Sequence, residues 1–279
     1  MNPKNLVGLI GWPIEHSLSP MMHNEAFRIL GLDSWVYLSL PVHHNNIKEA
    51  ILGLKALCFK GANVTIPYKE AVVPYLDKLS EDAKLIGAIN TIVIDENGLL
   101  IGHNTDHAGF IKDLADNAVE ISKKNILVLG AGGAAKAICY GLLKNGAENL
   151  MILNRTKNKS DELAHTLRHK FTTSHIQSIE KYAQADVIIN CTSIGLDKNS
   201  QDMPWEKNIS FNKHQIVYDT IYNPYETPFL AFAKSCGAKT INGLGMLINQ
   251  AALAFELWTH QTPSIKDMKN IAYAQLNIK

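Results

Sequence analysis

The sequence predicts an α/β protein of two domains, the second a doubly wound parallel sheet. Three observations carry that prediction. Between Asn125 and Gly243, short apolar runs alternate with helical patterns, which is the rhythm of βαβ units. The first of these runs leads into a glycine-rich turn and an apolar helix, "LVLGAGGAAKA". The first hundred residues also alternate strand and helix, with a hairpin pattern near their end.

Taken in order, "NLVGLIG" (Asn5–Gly11) is a short apolar strand. "LSPMMHNEAFRILG" reads as a helix with Ser19 at its N-cap, Pro20 at the first helical position and Gly31 as its stop. "SWVYLSLP" has the β-branched and aromatic residues of a strand and closes at Pro41. "NNIKEAILGLKALCF" sets Ile47, Ala50, Ile51, Leu54 and Leu57 at helical spacing. "GANVTIP" is a third strand, and "AINTIVIDENGLLIGHN" a hairpin turning at "DENG". The helix "DHAGFIKDLADNAV" marks the domain boundary, giving domains 1–106 and 107–243 and a C-terminal segment 244–279. The strands "NILVLG", "NLMILN", "DVIINCTS", "QIVYDTIY" and "KTING" follow, then a strongly apolar helix, Met246–His260.

The 279 residues are 46% hydrophobic and 19% charged, ordinary for a protein with a large core. A net charge of +1 gives no global electrostatic case for nucleic acid or a membrane surface. "MNPKNLVGLIGW" lacks the features of a signal peptide, and no apolar run is long enough to span a bilayer. Cys58, Cys139, Cys191 and Cys236 are widely spaced without a CxxC pair, so reduced thiols and a cytoplasmic location are expected. No metal is expected: His43–His44 are adjacent, and the HxxxH at His165–His169 has no third ligand nearby in sequence.

The glycine-rich turn matches GxGxxA, with Gly130, Gly132 and Ala135 in the three small positions. The first glycine lets the chain turn, the second lets backbone approach a pyrophosphate, and the helix N-terminus favours the anion. A dinucleotide is the expected ligand of this Rossmann-type domain. The next strand should end in an acidic residue that holds a ribose hydroxyl. Asn154 stands there instead, 24 positions after Gly130, followed by Arg155, Thr156, Lys157 and Lys159. A missing acid removes repulsion of a 2′-phosphate, and Arg155 offers a planar fork for it. The expected cofactor is NADP(H). In isolation Arg155 and the lysines would be solvated loop charges.

In the first domain, short polar side chains gather at several strand ends: Ser17 and Ser19, Asn63, Thr65 and Lys69, Asn90, and Asn104, Thr105 and Asp106. Each alone has a structural explanation: Ser19 as a cap, Lys69 as a solvated lysine, Asp106 as a cap for the helix from His107. Together they suit a small, polyhydroxylated, anionic ligand, because open α/β sheets bind ligands outside the carboxyl ends of their strands.

These strings, with "NRT", "NCTSIGL", "YDTIYNPYETP" and "GLGMLINQ", resemble the shikimate dehydrogenase family in order and spacing over nearly the whole chain. The departures are Trp12 where asparagine is frequent, His107 where glycine is frequent and Cys191 where alanine is usual. The resemblance implies an NADP-dependent oxidoreductase that reduces 3-dehydroshikimate to shikimate reversibly, within aromatic amino-acid biosynthesis. It implies C-terminal helices that return to the first domain. It makes Lys69 and Asp106 the catalytic pair. Ser17 and Ser19, helped by Tyr222, would take the substrate carboxylate; Asn63, Thr65, Asn90, Asp106 and Gln250 would hold ring hydroxyls. Gly130, Ala131, Gly132, Gly133 and Ala134 would cradle the pyrophosphate, and Asn154, Arg155, Thr156 and Lys159 would read the adenosine phosphate. Thr192, Ser193, Gly243 and Met246 would complete the cofactor site. A quinate/shikimate dehydrogenase of the same family is the nearest alternative, and a non-catalytic ligand sensor a more distant one. The expected partner is the small-molecule substrate alone; monomer and homodimer both remain open.

Overall fold

The computed structural model describes residues 5–182 and 184–278. The chain divides into two compact units, one running to Gly109 and resuming at Ile248, the other spanning Phe110–Leu247. Among the described residues no helix is long and apolar enough to cross a membrane.

The first unit is built on a six-stranded mixed sheet. Its strands are β1 (Asn5–Gly11), β2 (Trp35–Pro41), β3 (Gly61–Val64), β4 (Lys78–Leu79), β5 (Thr91–Ile94) and β6 (Leu100–His103), in the order β2-β1-β3-β5-β6-β4. β1 runs parallel to β2 and β3, and β5–β6 is an antiparallel hairpin. The expected turn at "DENG" closes it, with Gly98 N donating to Asp95 O at 2.9 Å. Helices α1 (Ser19–Ile29), α2 (Ile47–Ala56) and α3 (Glu81–Ile86) belong to this unit, as does α9 (Ile265–Gln275), which packs on α1. The apolar stripe of α2 buries Ile47, Ile51 and Leu54 in a core with Ile10, Val64, Ile89 and Ile92. α8 (Leu244–Thr259) is tied to the sheet by Trp258 Nε1, which donates to Ile92 O at 2.9 Å. The C-terminal helices thus return to the first unit.

The second unit is a six-stranded parallel sheet of β7 (Asn125–Leu129), β8 (Asn149–Leu153), β9 (His175–Ile179), β10 (Val187–Asn190), β11 (Ile216–Asp219) and β12 (Lys239–Asn242). Its order, β9-β8-β7-β10-β11-β12, reverses direction between β7 and β10, the doubly wound arrangement with a crevice at the switch point. α4 (Asp106–Asp116), α5 (Gly133–Lys144), α6 (Lys157–Lys170) and α7 (Pro228–Ser235) complete the connections. α5 is buried along most of its length, while α6 buries only Ser160, Leu163, Ala164 and Leu167. The central strands are buried on both faces, as a covered parallel sheet requires.

Three local features differ from expectation. The first helix begins at Ser19 itself: Leu18 holds the N-cap position and no side chain caps. The edge strand β9 and the short β4 carry too few apolar residues to announce themselves. α3 carries local signals: Ser80 caps it, Glu81 and Asp82 stand in its first turn, and Gly87 ends it at φ +73°.

Candidate active site

The polar cluster that the sequence singles out in the first unit begins where β1 and β3 stop. Thr65 N donates to Ile10 O at 2.9 Å and Trp12 N to Ile66 O at 3.1 Å, so the two loops leave the sheet together. In the first loop, Ser19 N donates to Ser17 Oγ at 3.3 Å, directly before α1. Ser17 is half-buried and Ser19 buried, and the first turn of α1 has no acidic residue.

Lys69 follows β3, and Asp106 opens α4. Lys69 Nζ lies 2.6 Å from Asp106 Oδ2, with the two side chains 16% and 5% exposed. Lys69 is therefore not a solvated lysine. Asp106 is not a helix cap either. Asn104 Oδ1 accepts from Asp106 N at 3.1 Å and His107 N at 3.4 Å, while the Asp106 carboxylate accepts from Lys69 and Asn90.

Asn90 is the hub around this pair. Its Nδ2 stands 2.8 Å from Thr105 Oγ1, 2.9 Å from Asp106 Oδ1 and 3.0 Å from Gln250 Oε1. Its Oδ1 accepts from Thr105 N at 2.8 Å and from Thr91 Oγ1 at 3.0 Å. Gln250 reaches the hub because α4 and α8 approach closely at Gly109, where a Cβ would meet Gln250 N at 2.6 Å. Asn63 donates to Asn90 O at 3.1 Å and Thr91 Oγ1 at 3.0 Å and accepts from Tyr37 at 2.8 Å. Asn63 is thus anchored within the protein as well as facing this network.

Tyr37 and Thr91 were not singled out by sequence, since a tyrosine inside an apolar strand carries no local functional signal. His23 stacks on Tyr37 with ring centroids 4.4 Å apart and an interplanar angle of 4°. Among the described residues neither ring nitrogen of His23 has a hydrogen-bond partner, and complete burial pushes its pKa down to about 3.

The second unit presents the glycine turn at the end of β7. Gly130 adopts φ +112°, and its N–H donates to Leu153 O at 2.8 Å. The positive φ is what calls for glycine, and a Cβ there would also crowd the Cys191 carbonyl at 3.2 Å. Gly132 caps α5, whose first turn has no acidic residue. A Cβ at Gly132 would meet no protein atom within 4 Å, so the helix N-terminus is open to an approaching anion. Gly133 and Ala134 are half-buried in its first turn; Ala131 is buried just before it.

After β8, Asn154 Nδ2 donates to Thr156 O at 2.8 Å and shapes the loop. Lys157 is held by Asp161 at 2.7 and 2.8 Å. Arg155, Thr156 and Lys159 are exposed, and neither cation pairs with a described acidic residue. A 2′-phosphate fits this set: an arginine fork, a hydroxyl, an ammonium and no carboxylate at the strand end. Thr192 is half-buried and Ser193 exposed after β10; Tyr222 is half-buried after β11; Gly243 is buried after β12. Met246 shares a buried apolar cluster with Phe110, Tyr218 and Ile241. Among the described residues no group of three or more His, Cys, Asp or Glu is arranged to hold a metal ion. His165 and His169 make only a pair, with Nε2 atoms 3.1 Å apart.

Three family models match the chain. They describe the shikimate dehydrogenase substrate-binding domain over residues 9–92, shikimate/quinate 5-dehydrogenase over 113–199 and the shikimate 5′-dehydrogenase C-terminal domain over 243–273. A shikimate dehydrogenase (NADP(+)) of Carboxydothermus hydrogenoformans is 47% identical over 268 residues, covering 95% of each chain. A crystal structure of a shikimate dehydrogenase in complex with NADP+ superposes with a TM-score of 0.91 at 42% identity, covering 98% of this chain and 96% of the other. The shikimate 5-dehydrogenase of Thermus thermophilus in complex with NADP(H) and shikimate gives 0.87 at 33% identity, covering 97% and 99%.

Proposed function

The chain belongs to the shikimate dehydrogenase family, and we propose that it interconverts 3-dehydroshikimate and shikimate with NADP(H), in the cytoplasm, as a step of aromatic amino-acid biosynthesis. The observation that carries this reading is the largely buried Lys69–Asp106 pair at 2.6 Å, set beside the Asn90–Gln250 network.

When bound, the nicotinamide supplies or takes up the hydride. The residues of the chain handle the proton and the developing charge. As the ketone is reduced, negative charge grows on its oxygen. Lys69 directs one N–H at Asp106, and its ammonium has two more for that oxygen, so it both stabilises the charge and delivers the proton. In the reverse direction the neutral amine takes the proton back from the substrate hydroxyl. Asp106 orients the lysine through Oδ2, while Asn90 holds Oδ1.

Asn63, Thr65, Asn90, Asp106 and Gln250 are assigned to the ring hydroxyls. Ser17 and Ser19, at the start of α1, are assigned with Tyr222 to the carboxylate. Gly130 to Ala134 receive the pyrophosphate, and Asn154, Arg155, Thr156 and Lys159 the 2′-phosphate. Thr192, Ser193, Gly243 and Met246 complete the cofactor site. Serine at both 17 and 19, with Arg155 exposed where an acid would select NAD, favours shikimate and NADP over quinate and NAD. The paired Lys69 and Asp106 argue for an enzyme over a ligand sensor.

The test is product identity. Purified protein given 3-dehydroshikimate and NADPH should yield shikimate, identified by NMR. Binding of both ligands without product would replace the enzyme with a sensor.

A further inference from the structure

We propose that Asp219 is a positioning residue of the dinucleotide crevice: its carboxylate fixes the loops after β10 and β11, and so fixes Thr192 and Ser193 for the cofactor. The inference rests on the reading of those loops as part of the NADP site.

Asp219 ends β11 and is fully buried. Its Oδ1 accepts from Asn190 Nδ2 at 2.9 Å and from Ile221 N at 3.1 Å. Its Oδ2 accepts from Thr227 Oγ1 at 2.7 Å. Asn190 ends β10, is equally buried, and passes the constraint on. Its Oδ1 accepts from Thr192 N at 2.9 Å and Thr192 Oγ1 at 2.7 Å. Thr192 Oγ1 in turn accepts from Ile194 N at 3.2 Å. On the other side, Thr227 Oγ1 accepts from Leu230 N at 3.3 Å, which caps α7. Ile221, held by the carboxylate, accepts at its own carbonyl from Gly243 N at 3.1 Å. Loops after three adjacent parallel strands therefore converge on one buried carboxylate.

A structural core position would not select this residue. The three groups facing Asp219 all donate, and only a carboxylate offers acceptors on both oxygens. An asparagine of the same shape would turn one acceptor into a donor, so one of the two positions could no longer accept from its present partner. Protonation of the carboxylate does the same. The titratable groups beside it are Tyr218 on β11, bonded to Asp113 of α4, and Cys191 after β10. Burial raises both well above their ordinary values, so both stay neutral and place no second negative charge beside Asp219. Burial pushes Asp219 up to about 6, against the pull of Thr227, Ile221 N–H and Asn190.

The test compares wild type with Asp219→Asn in the full chain. NADP+ dissociation constants are measured by calorimetry at fixed ionic strength from about pH 5 to 8. Near pH 7.5 the variant should bind about tenfold more weakly, the scale of one lost hydrogen bond to a charged group. The gap should close as pH falls, because wild type loses its carboxylate near pH 6 and the variant has none to lose. The 2′-phosphate titrates near 6 as well, but equally for both proteins, so the ratio isolates Asp219. A gap constant across pH, or none at all, overturns the inference; a merely structural role would produce the first. Should Asp219→Asn not fold, Asn190→Ser removes one donor to the carboxylate and should start the loss of affinity at higher pH. An unmoved profile there overturns the inference too. Wild type that binds no NADP+ at any pH overturns the cofactor reading itself, and the inference with it.

Discussion

Lys69→Met removes the charge at the centre of the candidate active site and keeps the apolar stem. Two consequences follow from the geometry. The first is kinetic. In the proposed mechanism the ammonium meets the growing oxyanion mainly in the transition state, so the turnover number should fall roughly 100-fold or more, the scale of a lost general acid or oxyanion donor. That is about 3 kcal/mol of barrier. The second concerns folding. The Asp106 side chain is 5% exposed and would keep only Asn90 at 2.9 Å of its side-chain partners. Stranding a buried acceptor costs about 1–3 kcal/mol. A solvated lysine would cost neither. Asp106→Asn added to Lys69→Met removes the stranded charge, so it should restore most of the stability and none of the activity. Asp106→Asn alone should also slow turnover, and the double variant should lose less activity than the two singles summed. The assays are initial rates at saturating shikimate and NADP+ and urea unfolding of each variant. Lys69→Met turning over within about threefold of wild type would refute the mechanism. A double variant that regains activity would do so equally.

Arg155→Ala should weaken NADP+ binding by roughly 10- to 150-fold and NAD+ binding much less, since a charged hydrogen bond contributes about 1.5–3 kcal/mol. Equal losses in a titration of both cofactors would remove Arg155 from the phosphate site. Ser17→Ala should raise the KM for shikimate more than that for NADP+; an unchanged shikimate KM contradicts its assignment to the carboxylate. His23 gives the protein an acid weakness. The folded state holds it neutral down to about pH 3, while the unfolded chain protonates it below its ordinary 6.5. The unfolded state therefore binds more protons in that window, and stability falls as pH falls, by about 2 kcal/mol from this group at pH 5. His23→Leu should flatten urea midpoints between about pH 6.5 and 5; an identical slope would mean that other groups dominate.

What the sequence reveals depends on how local the cause is. The Gly130 turn, the hairpin at Gly98 and the Pro20 helix start follow from neighbouring residues and were legible. The capping signal at Ser80 was equally local and could have announced α3. β9 could not be read, because an edge strand such as "HIQSI" buries one residue fully and has neither a continuous apolar run nor clean alternation. The Asn90–Gln250 contact spans 160 positions, and Lys69–Asp106 spans 37. Only the fold brings them together, so before the structure they rested on family resemblance. Asp219 shows the limit from the other side. In "YDTIY" it reads as the polar end of a strand, and nothing nearby says that Asn190 and Thr227 will enclose it.

The most direct measurement is kcat/KM for the four pairings of shikimate or quinate with NADP+ or NAD+. Shikimate with NADP+ should exceed both NAD+ pairings by at least about tenfold, the discrimination expected when a site built around a charged phosphate contact meets a ligand lacking it, and should exceed quinate with NADP+ as well. Quinate with NAD+ as the favoured pair, or no turnover in any pairing, would contradict the assignment.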